Sequence, residues 1–87
     1  MALTPQTRLR EVIVQVLEAS GGRGTRANVL QRMAIVMNDE FTAEDLEPVR
    51  TRPHEVKWQN RASYERASMI REGLLERRDD GIWALTK

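Results

Sequence analysis

Glycine and proline punctuation constrains this chain most. Gly21-Gly22, Pro48 and Asp80-Gly81 cut it into short runs, so the fold must be assembled from short elements joined by tight connections. Its 87 residues are too few to divide between two cores, and one domain over 1–87 is expected. With 40% hydrophobic and 31% charged residues, the chain is a small globule and not a disordered segment.

Thr4 followed by Pro5 reads as an N-cap with proline in the first turn, and Leu9, Val12, Ile13, Val16 and Leu17 recur at helical spacing until Gly21-Gly22 stop them. Residues 22–25 are short and extended and can add a strand. Thr25 then caps a second helix whose Val29, Leu30, Met33, Ala34 and Met37 form an apolar face, ending near Asn38. A third, shorter helix is predicted from Thr42, because Thr-Ala-Glu-Asp places an acid three residues after the cap, and Pro48 ends it. Residues 49–57 read as an irregular, basic connector containing Pro53.

Trp58 opens a long helix to about Leu75, with Trp58, Ala62 and Met69 on its inner side and Leu74 and Leu75 at its buried end. Glu76–Asp79 and Ile82–Thr86 flank Asp80-Gly81, which reads as a tight hairpin turn with positive φ angles. The expected fold is mainly α with a small β-wing: three main helices, one short extra helix and a C-terminal β-hairpin. That is the order of a winged helix-turn-helix.

The formal net charge of +1 conceals an asymmetry. Residues 1–47 hold five Arg and seven Asp or Glu, a balance of −2, whereas residues 48–87 hold nine Lys or Arg and six acids, a balance of +3. A polyanion would be met by the second half. The absence of cysteine removes disulfides and thiolate metal sites and fits a reducing, cytoplasmic setting. No apolar run is long enough for a membrane span or a signal peptide.

A single histidine and the lack of a glycine-rich phosphate loop or an H-E-x-x-H pattern leave no catalytic constellation, so no enzyme activity, cofactor or metal is expected. The acids Asp39, Glu40, Glu44, Asp45 and Glu47 lack the alternation of a calcium loop and read as a solvated, dipole-matched helix start.

Trp58-Gln59-Asn60-Arg61, the run through Met69 to Gly73-Leu74-Leu75, and the closing Gly81-Ile82-Trp83-Ala84-Leu85-Thr86 occur in that order. Together they resemble the amino-terminal winged-helix domain of Mrr-type, modification-dependent restriction endonucleases. The resemblance implies a target-recognition module of a restriction system, whose partners would be double-stranded DNA, modified bases included, and a nuclease domain or subunit. The metal-dependent nuclease domain of such enzymes has no room in 87 residues, so cutting is not carried over. Glu65 departs from the pattern, because it falls on the apolar side of the long helix and needs a partner such as Arg61 four residues earlier or a place at the core's edge.

At about 100° per residue, the side opposite Trp58, Ala62 and Met69 carries Asn60, Ser63, Tyr64 and Ala67, with Gln59 at its flank. These five are the base-contact candidates. Asn and Gln can pair with adenine, while Ala67 can meet the methyl of thymine or of a modified cytosine. Asn60 could equally serve as a local cap, and Tyr64 could rest on its neighbours. Arg50, Arg52, His54 and Lys57 before the helix, Arg71 late in it, and Arg77 and Arg78 on the wing are the phosphate candidates. Trp58 and Trp83 are assigned to packing. Two alternatives stand beside DNA recognition in a restriction system: a free-standing transcriptional regulator, and a protein-interaction module or homodimer that pairs through the first helix or the wing.

Overall fold

The structure, a computed structural model, describes residues 3–86. Its helices are α1 (Gln6–Ala19), α2 (Arg26–Val36) and α3 (Lys57–Arg71), and its strands are β1 (Arg23–Thr25), β2 (Pro48–Val49), β3 (Arg52–Val56) and β4 (Ile82–Ala84). The order α1, β1, α2, α3 and a terminal strand is that of a winged helix-turn-helix, with the hairpin β2–β3 interposed before α3.

Helix α1 buries Leu9, Val12, Ile13, Val16 and Leu17, each contributing about 2 kcal/mol by leaving water. They meet Val29, Leu30 and Met33 of α2, then Met37, then Trp58, Ala62 and Met69 of α3, with Leu75 and Trp83 closing the core. Phe41 stacks on Trp58 with ring centroids 4.7 Å apart. The two tryptophans pack inside, as expected.

Pro5, not Thr4, stands at the N-cap of α1, without a side-chain cap. Thr4 is occupied elsewhere: its N–H and hydroxyl donate to the Asp45 carboxylate at 2.9 and 2.7 Å. At the other end, the N–H of Gly22 reaches Leu17 O at 2.7 Å and that of Gly21 reaches Glu18 O at 3.4 Å. With Gly21 at φ 79°, this is a Schellman stop, which only glycine adopts without strain. Thr25 caps α2 as predicted, its hydroxyl accepting from the N–H of Asn28 at 3.2 Å.

The short extra helix from Thr42 does not form; the segment makes only turns, Leu46 N–H to Ala43 O and Glu47 N–H to Glu44 O, both at 3.2 Å. Thr42 and Asp45 do close a capping box, Thr42 N–H to Asp45 Oδ2 at 2.8 Å and Asp45 N–H to Thr42 Oγ1 at 3.2 Å. The Asp45 and Glu47 carbonyls, however, accept from the N–H groups of Trp58 and Lys57 at 3.1 and 2.9 Å. Those bonds splice the segment onto the start of α3, and with β2 beginning at Pro48 the stretch 42–47 is too short to repay the cost of nucleating a helix. The acids of this stretch are therefore not a solvated helix start. Asp45 is fully buried, while Glu40 and Glu47 form ion pairs with Arg8 and Lys57.

The connector expected to be irregular is instead the hairpin β2–β3, with Pro48 opposite Val56 and Val49 opposite Arg52. Pro53 is tolerated because the hairpin is two strands wide, so both strands are edges. Helix α3 ends at Arg71 rather than near Leu75. Gly73, at φ 82°, forms a second Schellman stop in which the Leu74 N–H returns to Met69 O at 2.8 Å.

The extended piece after α1 does add to the wing. Strand β1 pairs antiparallel with β4, Arg23 opposite Ala84, Gly24 opposite Trp83 and Thr25 opposite Ile82. The other arm of the expected hairpin is reduced to a Leu75–Leu85 bridge, flanked by bonds from Glu76 N–H to Ala84 O at 2.8 Å and from Thr86 N–H to Leu74 O at 3.1 Å. At the turn only Gly81 has positive φ. Asp80 closes it differently, its carboxylate accepting from the N–H of Ile82 at 3.0 Å.

Candidate nucleic-acid interface

Helix α3 turns Trp58, Ala62, Glu65 and Met69 inward, which leaves the opposite side free. There Asn60, Ser63 and Ala67 are half-buried and Tyr64 is 67% exposed. These four line one wall of a cavity of about 450 Å³, whose other wall is Arg26, at the start of α2, with Arg52 and Glu55 of β3. Gln59, the fifth base-contact candidate, is half-buried and lies outside this lining.

The cavity is electrostatically uneven. Arg26 donates from Nε to Ser63 Oγ at 3.2 Å, and its Nη2 stands 3.6 Å from Glu55 Oε1. Arg52 Nη1 is 4.0 Å from the other Glu55 oxygen. Both separations exceed the roughly 2.7–2.9 Å of a charge-assisted hydrogen bond, so these guanidinium groups keep donors unspent.

The remaining phosphate candidates divide into two kinds. Arg50 and His54 on the hairpin, Arg71 at the end of α3 and Arg77 on the wing are exposed, with Arg71 donating to Ser68 Oγ at 2.9 Å. Lys57 and Arg78 are already engaged. Lys57 meets Glu47 at 2.9 Å, and Arg78 meets Glu76 at 2.8 Å and Asp80 at 2.6 Å. The Arg78 hydrogen bonds hold the Asp80 carboxyl far below its usual range, and the same contacts raise Arg78.

Glu65 has a different partner from the one expected. It is 5% exposed and is held by Arg10 of α1, whose outer nitrogens also grip Glu72 at 2.8 and 2.7 Å. The Arg10 hydrogen bonds push the Glu72 carboxyl below its ordinary value. Arg61 makes no pair with Glu65. It donates to the carbonyl of Thr4, and its own carbonyl accepts from Gln6 Nε2 at 3.0 Å.

Three residues of this region escaped the reading of the sequence. Arg26 lies 37 positions before the serine it bonds, in the half of the chain with net negative charge. Glu55 lies inside the connector expected to be basic. Arg66 sets its guanidinium 5.7 Å from the centroid of the Trp83 ring, donates to Ile82 O at 3.4 Å, and keeps a buried Nε without a partner. The Thr25 cap was the available signal for Arg26, since it places that side chain in the first turn of α2.

Among the described residues no group of three or more His, Cys, Asp or Glu could hold a metal ion, and no helix is long and apolar enough to cross a membrane. No curated protein and no solved structure matches the chain. The Mrr N-terminal domain matches it over residues 7–87, a span that contains the Trp58-Gln59-Asn60-Arg61 opening, the Gly73-Leu74-Leu75 end and the closing Gly81–Thr86 segment. On that match over nearly its whole length, the chain belongs to the Mrr N-terminal domain family.

Proposed function

We propose that residues 1–87 act as one double-stranded-DNA-binding unit, the target-recognition module of a restriction-type system, without cutting DNA themselves. Helix α3 would enter the major groove, which admits a helix, with the β2–β3 hairpin and the wing on flanking phosphates. The observation that carries this reading is the cavity on the outer side of α3. It joins polar and small side chains suited to base edges, Asn60, Ser63, Tyr64 and Ala67, to guanidinium groups whose nearest acid is out of hydrogen-bonding range. Membership of the Mrr N-terminal domain family supports the restriction link.

Fluorescence anisotropy of the purified chain on a short duplex, at two salt concentrations, tests it. Binding at low salt that weakens steeply as salt rises is expected, since phosphate contacts release counterions. Absence of binding at low salt would remove the reading. A preference for duplexes carrying modified bases over plain ones would support the restriction role, and equal affinity would favour a transcriptional regulator.

One observation favours a protein contact instead. Among the described residues the large apolar side chain most exposed is not on α1, whose outer side is polar, but on α2, where Ile35 is 72% exposed. A dimer in sedimentation that Ile35→Arg dissolves, in a chain without DNA affinity, would carry that reading.

A further inference from the structure

Resting on the DNA-binding reading above, we propose that Arg26 and Glu55 stand side by side as the reader of one C·G base pair. Glu55 would accept an amino hydrogen of cytosine, and Arg26 would donate to the guanine.

Glu55 is out of place on a surface meant for a polyanion. It is the one acid in the wall of the cavity, its side chain is 12% exposed, and it has therefore lost most of its hydration. The nearest cations stand 3.6 and 4.0 Å away, too far for the charge-assisted hydrogen bonds that would use up its lone pairs. An ionised carboxylate only accepts. Phosphate oxygens and the acceptor atoms of guanine and thymine would be repelled by it. The groups on a duplex that suit it are the exocyclic amino hydrogens of cytosine and adenine.

Arg26 decides between those two. Its Nε is anchored on Ser63 Oγ at 3.2 Å, so the guanidinium is oriented and its Nη2 lies next to Glu55 Oε1. An acceptor beside a fork of donors complements the major-groove edge of a C·G pair, where the cytosine amino group is followed by O6 and N7 of guanine. An A·T pair places its amino donor between two acceptors, which would bring one of them against the carboxylate. Ala67 adds little bulk to the same cavity. Arg52, with its side chain 64% exposed, is left for phosphate.

The experiment is selection of duplexes by the intact chain from a pool randomised over the central positions, repeated with Glu55→Gln. The unaltered chain should enrich a C·G pair at one position. In E55Q the preference there should fall about tenfold, while affinity for unselected DNA stays equal or rises, because a negative charge has been removed. A second arm needs no mutation. Replacing the selected guanine by 7-deazaguanine removes N7 and should weaken binding by the unaltered chain about fivefold.

Selection without a C·G position, an E55Q chain with unchanged preference, or indifference to 7-deazaguanine would each overturn the reader and leave DNA binding standing. Failure to retain any duplex at low salt would overturn the DNA-binding reading itself.

Discussion

The arginines around α1 and those around the outer side of α3 have opposite surroundings. Around α1, Arg8 forks onto Glu40 at 2.8 and 2.7 Å, Arg10 holds Glu65 and Glu72, and Arg61 caps the carbonyl of Thr4. Around the outer side, Arg26 and Arg52 share one acid at 3.6 and 4.0 Å, and Arg50 and Arg77 make no ion pair among the described residues. The same side chain braces the fold where its donors are spent at short range and is available to a ligand where they are not. Position along the chain does not separate the two groups, because Arg61 and Arg26 each belong with residues distant in sequence.

Four changes would break or sharpen this contrast. The largest effect is expected at Asp45, which ties the chain before α1 to residues 42–45 through the backbone and hydroxyl groups of Thr4 and Thr42. Asp45→Ala strands those donors and should lower the unfolding free energy in urea by about 3 kcal/mol. Burial works to raise the Asp45 carboxyl, but the N–H groups of Thr4 and Thr42 and their hydroxyls outweigh it and hold it below the ordinary value. Its ionic contribution is therefore complete above the unfolded value near about pH 4 and is lost as pH falls through the depressed folded value. The gap in urea midpoint between wild type and Asp45→Asn should be full at pH 6 and shrink below about pH 4. A gap independent of pH would assign the effect to shape alone.

Next in size is Arg10→Met, which leaves the buried Glu65 carboxylate without its cation. A loss of about 2 kcal/mol is expected in thermal or urea unfolding. The double variant Arg10→Met, Glu65→Leu should regain most of it, and a double variant no better than the single one would show that the pair is needed for more than mutual compensation.

On the opposite side, Arg50→Ala with Arg52→Ala should leave the urea midpoint where it was. Duplex affinity at low salt should fall about tenfold, and the slope of log affinity against log salt should become shallower by about two. A stability loss with unchanged affinity would reverse the assignment. The smallest effect is expected for Arg78→Ala, since Glu76 and Asp80 already occupy its donors. Less than about a twofold change in affinity should result, against a larger loss for Arg77→Ala. Equal losses would mean that DNA can displace those acids.

The helical frame was legible wherever the governing signal is local. Thr25 caps α2, Gly21-Gly22 end α1, and the period of Trp58, Ala62 and Met69 correctly set the outer side of α3. Gly73 was equally legible as a stop, but the apolar pair Leu74-Leu75 beyond it masked the signal. What could not be read depends on partners far along the chain. The capping box at Thr42 forms, yet no helix follows it, because residues 57 and 58 tie the segment to the start of α3 and β2 begins at Pro48. Glu65 finds Arg10 across 55 positions rather than Arg61 across four. The site follows the same division: Asn60, Ser63, Tyr64 and Ala67 come from periodicity alone, whereas Arg26 and Glu55 join them only through the packing of α2 and β3 against α3.

The prolines of the β2–β3 hairpin bear on how copies of the chain behave together. An exposed two-stranded ribbon ordinarily offers its edges as templates for a neighbour's strand. Here each strand carries an exposed proline, Pro48 in β2 and Pro53 in β3, which removes an amide donor from each strand. Arg50 and Arg52 add repulsion between like ribbons. The hairpin can therefore project beside α3 at high protein concentration without growing into a shared sheet, and the face it borders stays clear for a partner of another kind.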